Sequence, residues 1–199
     1  MRKKLKILAA GDLHGSLDIA RKLAEKGKRE KVDLVVLAGD IFGYKKEDVE
    51  ILEPFIEAKQ KVVFVPGNCD FDEDLEKLRD GRNLHGRYVC YGDVGIAGIG
   101  NGNWKLWLEG EDFELISGVF SKMKSKKKIL VSHLHAKGTR AELFGFEGWE
   151  GDDVLRYAVE KFNPDILISA HIHEAEGIED VVGGTRVVQV GRSGSILEV

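Results

Sequence analysis

Cysteine is scarce in this chain: 199 residues hold only Cys69 and Cys90. Two cysteines are too few for a disulfide framework and fit a reducing cytosol. No run approaches the roughly 18 consecutive apolar residues a membrane-crossing helix needs. The first residues, MRKKLKILAAGDLHG, are basic and then apolar, but Lys6 interrupts the apolar stretch and Asp12 ends it, short of a secretory core. A cytoplasmic protein with no membrane partner is expected. No internal repeat, linker or low-complexity stretch is found beyond the lysines between Lys122 and Lys128, so residues 1–199 read as one domain. Net charge is small, −4, which gives no global attraction to nucleic acid. Glutamine occurs only at Gln60 and Gln189 while charged residues reach 32%, a balance reported for heat-adapted proteins. A thermophilic origin is the expectation. The hydrophobic share, 43%, is that of an ordinary globular protein.

What is present is alternation. Lys6–Ala10, Leu34–Ala38 and Val62–Val65 read as buried strands. Between them, Ser16–Lys28 and Val49–Ala58 carry apolar residues at helical spacing, with Ser16 as a candidate N-cap. Such βαβαβ order implies a parallel sheet with helices outside. A short helix is expected over Asp72–Leu78, strands over Tyr88–Tyr91 and Val94–Ile99, and a helix over Phe113–Met123. Then follow strand Ile129–Ser132, helix Val154–Phe162 and strand Ile166–Ser169. The tail, Thr185–Val190 and Ser195–Val199 about Gly191–Gly194, reads as a β-hairpin. Two sheets packed together inside a helical coat, an α/β fold, are expected.

Five of the apolar strands end in a polar cluster: KILAA-GDLHG, DLVVLA-GD, VVFVP-GNCD, KILV-SHLH and DILIS-AHIH. Ligands of α/β sheets bind at the carboxyl ends of strands, where loops converge. Asp12 and His14 are two apart, as are His171 and His173, so continued strand geometry aims each pair to one side. Asp40, Asn68 and His133 add one candidate ligand each. Mixed imidazole and carboxylate donors suit Mn, Fe, Co, Ni or Zn better than magnesium or calcium.

These clusters resemble the calcineurin-like metallophosphoesterases, whose pattern is D-x-H, G-D, G-N-[HC]-[DE], H, then G-H-x-H. Here it stands as Asp12-Leu13-His14, Gly39-Asp40, Gly67-Asn68-Cys69-Asp70, His133 and Ala170-His171-Ile172-His173. The resemblance implies a four-layer α-β-β-α sandwich of two mixed sheets flanked by helices. It also implies two divalent transition metals, manganese favoured. Asp12, His14, Asp40 and His173 would hold one metal; Asp40, Asn68, His133 and His171 would hold the other. Asp40, Asn68 and His133 are the catalytic candidates. Two divalent cations against two carboxylates leave about +2, enough for a phosphoryl group together with hydroxide. The expected activity is hydrolysis of a small phosphodiester or phosphomonoester by a metal-bridging hydroxide.

Two positions depart from the pattern. Ala170 replaces a glycine, and Cys69 replaces a histidine thought to protonate the leaving group; His135 is the alternative donor. The stretch Gly39–Tyr44 also lacks the arginine of Ser/Thr protein phosphatases. Other features have plainer readings: His85 and Gly92-Asp93 as turns, the glycines at 98, 100 and 102 as a loop rather than a nucleotide fingerprint, the lysine run as a solvated face. Trp104, Trp107, Phe144, Phe146 and Trp149 either pack, wall the substrate side or form a contact in a homo-oligomer. The rival to the enzyme is a non-catalytic metal-binding interaction scaffold of the same fold.

Overall fold

The computed structural model describes residues 4–43, 50–76, 78–146 and 149–199. Along the chain run β1 (Lys6–Ala10), α1 (Leu17–Glu30), β2 (Leu34–Ala38), α2 (Glu53–Glu57), β3 (Val62–Val65), α3 (Asp72–Leu75), β4 (Gly81–Asn83), β5 (Arg87–Tyr91) and β6 (Val94–Ile99). They are followed by α4 (Gly110–Lys122), β7 (Lys127–Ser132), α5 (Asp153–Phe162), β8 (Ile166–Ser169), β9 (Glu179–Val182), β10 (Thr185–Gln189) and β11 (Ser195–Glu198). The strands form two sheets, ordered β11-β1-β2-β3-β4 and β5-β6-β7-β8-β10-β9. Inner pairs are parallel, while β11, β5 and β9 join antiparallel, so both sheets are mixed.

Side-chain alternation assigns the layers. Ile7, Ala9, Val36 and Val63 of the first sheet meet Val131, Ile168 and Val188 of the second in one central core. The opposite faces turn outward: Leu8, Leu37 and Phe64 pack on Leu23 of α1 and Phe55 of α2, and Leu130 and Leu167 pack on Phe120 of α4 and Leu155 of α5. The result is the expected four-layer α-β-β-α sandwich. Among the described residues no helix is long and apolar enough to cross a membrane.

Local chemistry sets the helix ends. Ser16 Oγ accepts the Ile19 N–H (3.4 Å) at the start of α1. A reciprocal pair, Glu109 and Asp112, starts α4 at Gly110, three residues before the expected Phe113. Helix α2 covers only Glu53–Glu57 of the expected 49–58: Leu52 precedes it as a turn, Pro54 fits its first turn, and Val49 lies outside the described residues. Likewise α3 covers Asp72–Leu75 of the expected 72–78, in which Lys77 lies outside the described residues.

The expected C-terminal hairpin is a correction. β10 pairs with β8 and β9, whereas β11 pairs with β1 in the other sheet. The Gly191–Gly194 turn therefore carries the chain from one sheet to the other. Each strand finds an apolar neighbour in register there. β4 and β9 had no counterpart in the sequence reading, because Gly81–Asn83 and Glu179–Val182 carry almost no apolar pattern.

The two sheets also touch beside the strand ends. A Cβ on Gly11 would lie 2.7 Å from the Ala170 methyl, so the glycine makes room for the alanine that departs from the family pattern. Gly11→Ala is expected to cost about 1–3 kcal/mol of stability through overpacking. Adding Ala170→Gly should recover most of that loss, read as non-additivity in urea unfolding. Independent, additive costs would contradict this contact.

Candidate functional site

Hydrogen bonds tie the loops after β1 and β2 together. Asp12 N–H donates to Gly39 O (3.1 Å), His14 N–H to Asp40 O (2.9 Å) and Gly15 N–H to Ile41 O (2.9 Å). The loop after β8 is joined likewise, Ala170 N–H donating to His133 O (3.0 Å). The chain leaves strand geometry at once: Asp12 (φ 56°), His14 (φ 45°), Asp40 (φ 49°) and His171 (φ 73°) are all left-handed. Non-glycine residues in that region cost about 1–2 kcal/mol each and persist only where the surroundings impose them.

That backbone corrects one expectation. His171 and His173 do not point to one place. His173 Nε2 stands 3.2 Å from His14 Nε2 and 3.5 Å from Asp12 Oδ1. His171 Nδ1 stands 3.1 Å from His133 Nε2, which is 3.1 Å from Asn68 Oδ1. Asp40 lies between the two groups, with Oδ2 3.6 Å from His14 Nε2 and Oδ1 3.5 Å from His133 Nε2. All seven sequence candidates are thus brought together, in two groups meeting at Asp40.

The donor chemistry suits cations. His133 Nδ1 lies 2.9 Å from Ala38 O, so the ring donates there and leaves the Nε2 lone pair facing Asn68 Oδ1, itself an acceptor. Facing acceptors repel unless something positive lies between them. Asp12 is 1% exposed, and neither carboxylate oxygen has a hydrogen-bond partner. An uncompensated buried carboxylate costs several kcal/mol, more than a surface ion pair returns. Compact three-residue donor sets are Asp12–His14–His173, Asp12–Asp40–His133 and His14–Asp40–Cys69. These residues fit divalent metal ions.

Protonation tendencies divide the histidines. Burial, aided by the His133 charge, pushes His171 down to about 3, and burial also lowers His14, so both rings are neutral near pH 7. Burial would raise Asp40, but the charge of His133 and the Cys69 N–H (2.9 Å to Oδ1) hold it below the usual carboxylate range. His173 is raised by the Asp12 carboxylate, whose Oδ1 stands 3.5 Å from its Nε2, beyond a well-formed hydrogen bond. For His133, burial favours the neutral ring, yet Asp40 and Asp12 together raise it.

Two motif glycines make room: a Cβ on Gly39 would lie 2.6 Å from the His133 ring, and one on Gly67 would collide with the Asp40 carboxylate. The glycines at 98, 100 and 102 let the loop pass against Val65, Pro66 and Asp70, which is packing and not a nucleotide fingerprint. His85, half-buried in the turn before β5, accepts the Gly100 N–H (3.1 Å) at Nδ1. Cys69 is buried, with the Asn68 amide donating to its Sγ (3.3 Å).

Asp70 and Arg192 did not stand out as site residues in the sequence. The Asp70 carboxylate accepts from Gly67 N (2.8 Å), Phe42 N (2.9 Å) and Ile41 N (3.2 Å), tying the loop after β3 to the loop after β2. Burial and the nearby Asp40 charge raise it to about 7, against those three donors. Its place in G-N-C-D was the available signal; Arg192 offered none, standing in a turn taken for a hairpin.

Trp104, Trp107, Phe144, Phe146 and Trp149 are exposed by 51%, 58%, 40%, 67% and 42%, so they are not core packing. Trp149 stacks on His171, centroids 4.8 Å apart and planes 12° apart, and Trp104 N–H donates to Asn68 O (2.8 Å). The rim is therefore partly aromatic. His135 is buried beside His171 with both ring nitrogens unpartnered, and it lines a recess with Trp149 and Leu106. It belongs to none of the three donor sets. An open groove lies at the opposite pole, among strand starts such as Leu5, Asp33 and Val94. None of the unpartnered buried atoms found among the described residues lies in it.

Fold and site together define a class. Residues 5–175 match the family model for calcineurin-like phosphoesterases, and the chain belongs to that family. No curated protein matches the chain. Among solved structures it resembles TT1561 of Thermus thermophilus (19% identity, 98% of this chain and 95% of that one, TM-score 0.77). It also resembles a dimetal phosphatase from Danio rerio (12%, 98% and 90%, TM-score 0.70). A third neighbour is GAP50, the anchor in the inner membrane complex of Plasmodium (13%, 96% and 72%, TM-score 0.60). At these identities the likeness speaks for the fold alone.

Asp70→Ala is expected to strand three backbone N–H groups and to destabilise the protein by about 3–5 kcal/mol, at about 1–3 kcal/mol for each stranded donor less what water recovers. Asp70→Asn keeps an acceptor and should cost less. Equal, small shifts in unfolding midpoint for both would refute a structural role for this carboxylate.

Proposed function

We propose that the chain is a dinuclear metal-dependent phosphoesterase, with residues 1–199 forming a single domain, that favours phosphodiesters over monoesters. The observation that carries this reading is Asp12, a buried carboxylate with both oxygens unpartnered, standing in a cluster of five other histidine and aspartate side chains. The rival, a non-catalytic metal-binding scaffold, would use the same group, and ester hydrolysis separates the two readings. In this reading Asp12, His14, Asp40 and His173 hold one divalent cation, and Asp40, Asn68, His133 and His171 hold a second, with Asp40 shared. Manganese is favoured, as the family resemblance implies, with iron, nickel, cobalt or zinc also compatible with this mixed oxygen and nitrogen set. Such a pair supplies Lewis acidity, making water a nucleophile near neutral pH and offsetting phosphoryl charge.

The chain's own groups prepare the place. The Ala38 carbonyl fixes the ring of His133, and the Cys69 N–H orients Asp40. Trp149 covers one face of His171 and keeps water from it. The exposed aromatic rim suits the apolar group of an ester, which supports diesters. With only two cysteines, Cys69 and Cys90, too few for a disulfide framework, the composition supports a cytoplasmic setting.

Three outcomes are expected. Manganese added to chelator-treated protein at about a hundred times its Kd should stabilise it by about 2.7 kcal/mol. That is a rise in Tm of about 5–10 °C for a chain of this size, and Asp40→Ala should abolish it. Elemental analysis showing no uptake of Mn²⁺, Ni²⁺ or Zn²⁺ would sink the metal assignment. With Mn²⁺, bis-p-nitrophenyl phosphate should be hydrolysed faster than p-nitrophenyl phosphate; a monoester preference across several metals reverses that order. Cys69→Ala should slow the aryl diester by under about tenfold, because a thiol is a poor proton donor and loss of a true general acid costs about 10²–10⁴. A loss of three orders of magnitude with both metals retained makes the thiol a participant.

A further inference from the structure

The Gly191–Gly194 turn is exposed at Arg192 and Ser193, yet four contacts brace it. Gly11 N–H donates to Gly191 O (3.1 Å), and Ser193 N–H donates to Glu176 Oε1 (2.7 Å). Lys26 Nζ donates both to Ser193 O (3.0 Å) and to Gly194 O (2.7 Å). These contacts present Arg192 at the mouth of the candidate centre. Its Nε donates to the carbonyl of Asp12 (2.9 Å), and its two terminal amines have no partner among the described residues. The guanidinium is near enough to His14 and His173 for its charge to oppose, in small measure, the protonation of both rings.

A guanidinium offers five donors in a planar fork that matches the oxygens of phosphate or carboxylate. Here one donor anchors the group and the terminal ones stay open, with no carboxylate of the described residues to satisfy them. Anchoring at Nε on a braced turn removes much of the rotamer freedom that binding would otherwise cost. The stretch from Gly39 to Gly43, where a phosphate-clamping arginine would be sought, carries none.

We propose that Arg192 is a substrate-binding residue, whose terminal amines take non-bridging oxygens of the phosphoryl group on the His14–His173 side of the centre. The assignment rests on the phosphoesterase reading above. It implies that the fork contributes more to binding a monoester dianion or free phosphate, with more terminal oxygens and charge, than to binding a diester monoanion, for which the preference rests on the aromatic rim.

The test compares the parent protein with Arg192→Ala, Arg192→Lys and Lys26→Met, all loaded with Mn²⁺. Calorimetry reads the affinity for inorganic phosphate, and kinetics read kcat and KM for p-nitrophenyl phosphate and its bis ester. Metal content and Tm are the controls. In Arg192→Ala, the Kd of phosphate and the KM of the monoester should rise about 10–100-fold, the scale of a lost bidentate charged contact. The KM of the diester should rise less, kcat should stay within about threefold, and metal content and Tm should hold. Arg192→Lys, which keeps charge without the fork, should fall between, and Lys26→Met should reproduce part of the rise by loosening the turn. A merely structural arginine gives the reverse: metal content and Tm fall in Arg192→Ala and Arg192→Lys while the metal-loaded fraction binds phosphate as the parent does. That pattern, or unchanged phosphate affinity at full metal content, overturns the proposal. A parent that hydrolyses neither ester yet loses phosphate binding with Arg192 removes the catalytic reading and leaves the anion site standing.

Discussion

Two carboxylates, Asp12 and Asp40, are buried at the end of the sandwich, and the rest of the structure is arranged around them. Asp40 gains compensation from His133, His14 and the Cys69 N–H, whereas Asp12 is left with unpartnered oxygens. A hydrophobic pair of similar volume would fold as well or better at such a place. Neighbouring choices make sense only once these groups are granted. Gly39 and Gly67 clear space for the His133 ring and the Asp40 carboxylate, and four donors sit in left-handed backbone. Strain of this kind concentrates where function imposes it and is compensated by rigid surroundings. Here the surroundings are strands β1, β2, β3, β7 and β8, nearly all of whose residues are buried.

Much of the fold was legible because apolar runs and amphipathic spacing are local properties. Every strand later found to carry a donor could be read directly, since a buried parallel strand is a near-continuous apolar run. What failed depended on partners far along the chain. The tail looked like a hairpin because β10 and β11 flank a glycine turn, yet strand pairing is decided by which neighbour offers an apolar face in register. β1 offered Ile7 and Ala9 to β11. β4 and β9 were invisible because an edge strand can be short and polar.

The site divides along the same line. Residue types and their order brought out all seven candidate donors, and the i+2 rule placed Asp12 with His14 but not His171 with His173. It assumes that a strand continues, and at His171 the positive φ ends it. Asp70 and Arg192 act through backbone groups of other loops, and such contacts leave no periodic trace. Fold likeness does not supply function either. A dimetal phosphatase and an anchor protein both resemble this chain, so any case for catalysis must come from the donors.

The donors are also divided between the sheets. Asp12, His14, Asp40 and Asn68 follow strands of the five-stranded sheet; His133, His171 and His173 follow strands of the six-stranded one. One layer thus contributes both candidate donor carboxylates, and the other contributes imidazoles alone. The 3.5 Å approaches of His173 to Asp12 and of His133 to Asp40 cross this gap, and they pair charges only when the rings are protonated. A cation held by donors from both layers has no such condition, because neutral imidazole is then the favoured ligand form. Binding there would fasten two layers that also meet at this end by packing, Gly11 against Ala170. Stability and chemistry are therefore coupled through the same residues: what leaves the site costly without a cation is what makes it bind one.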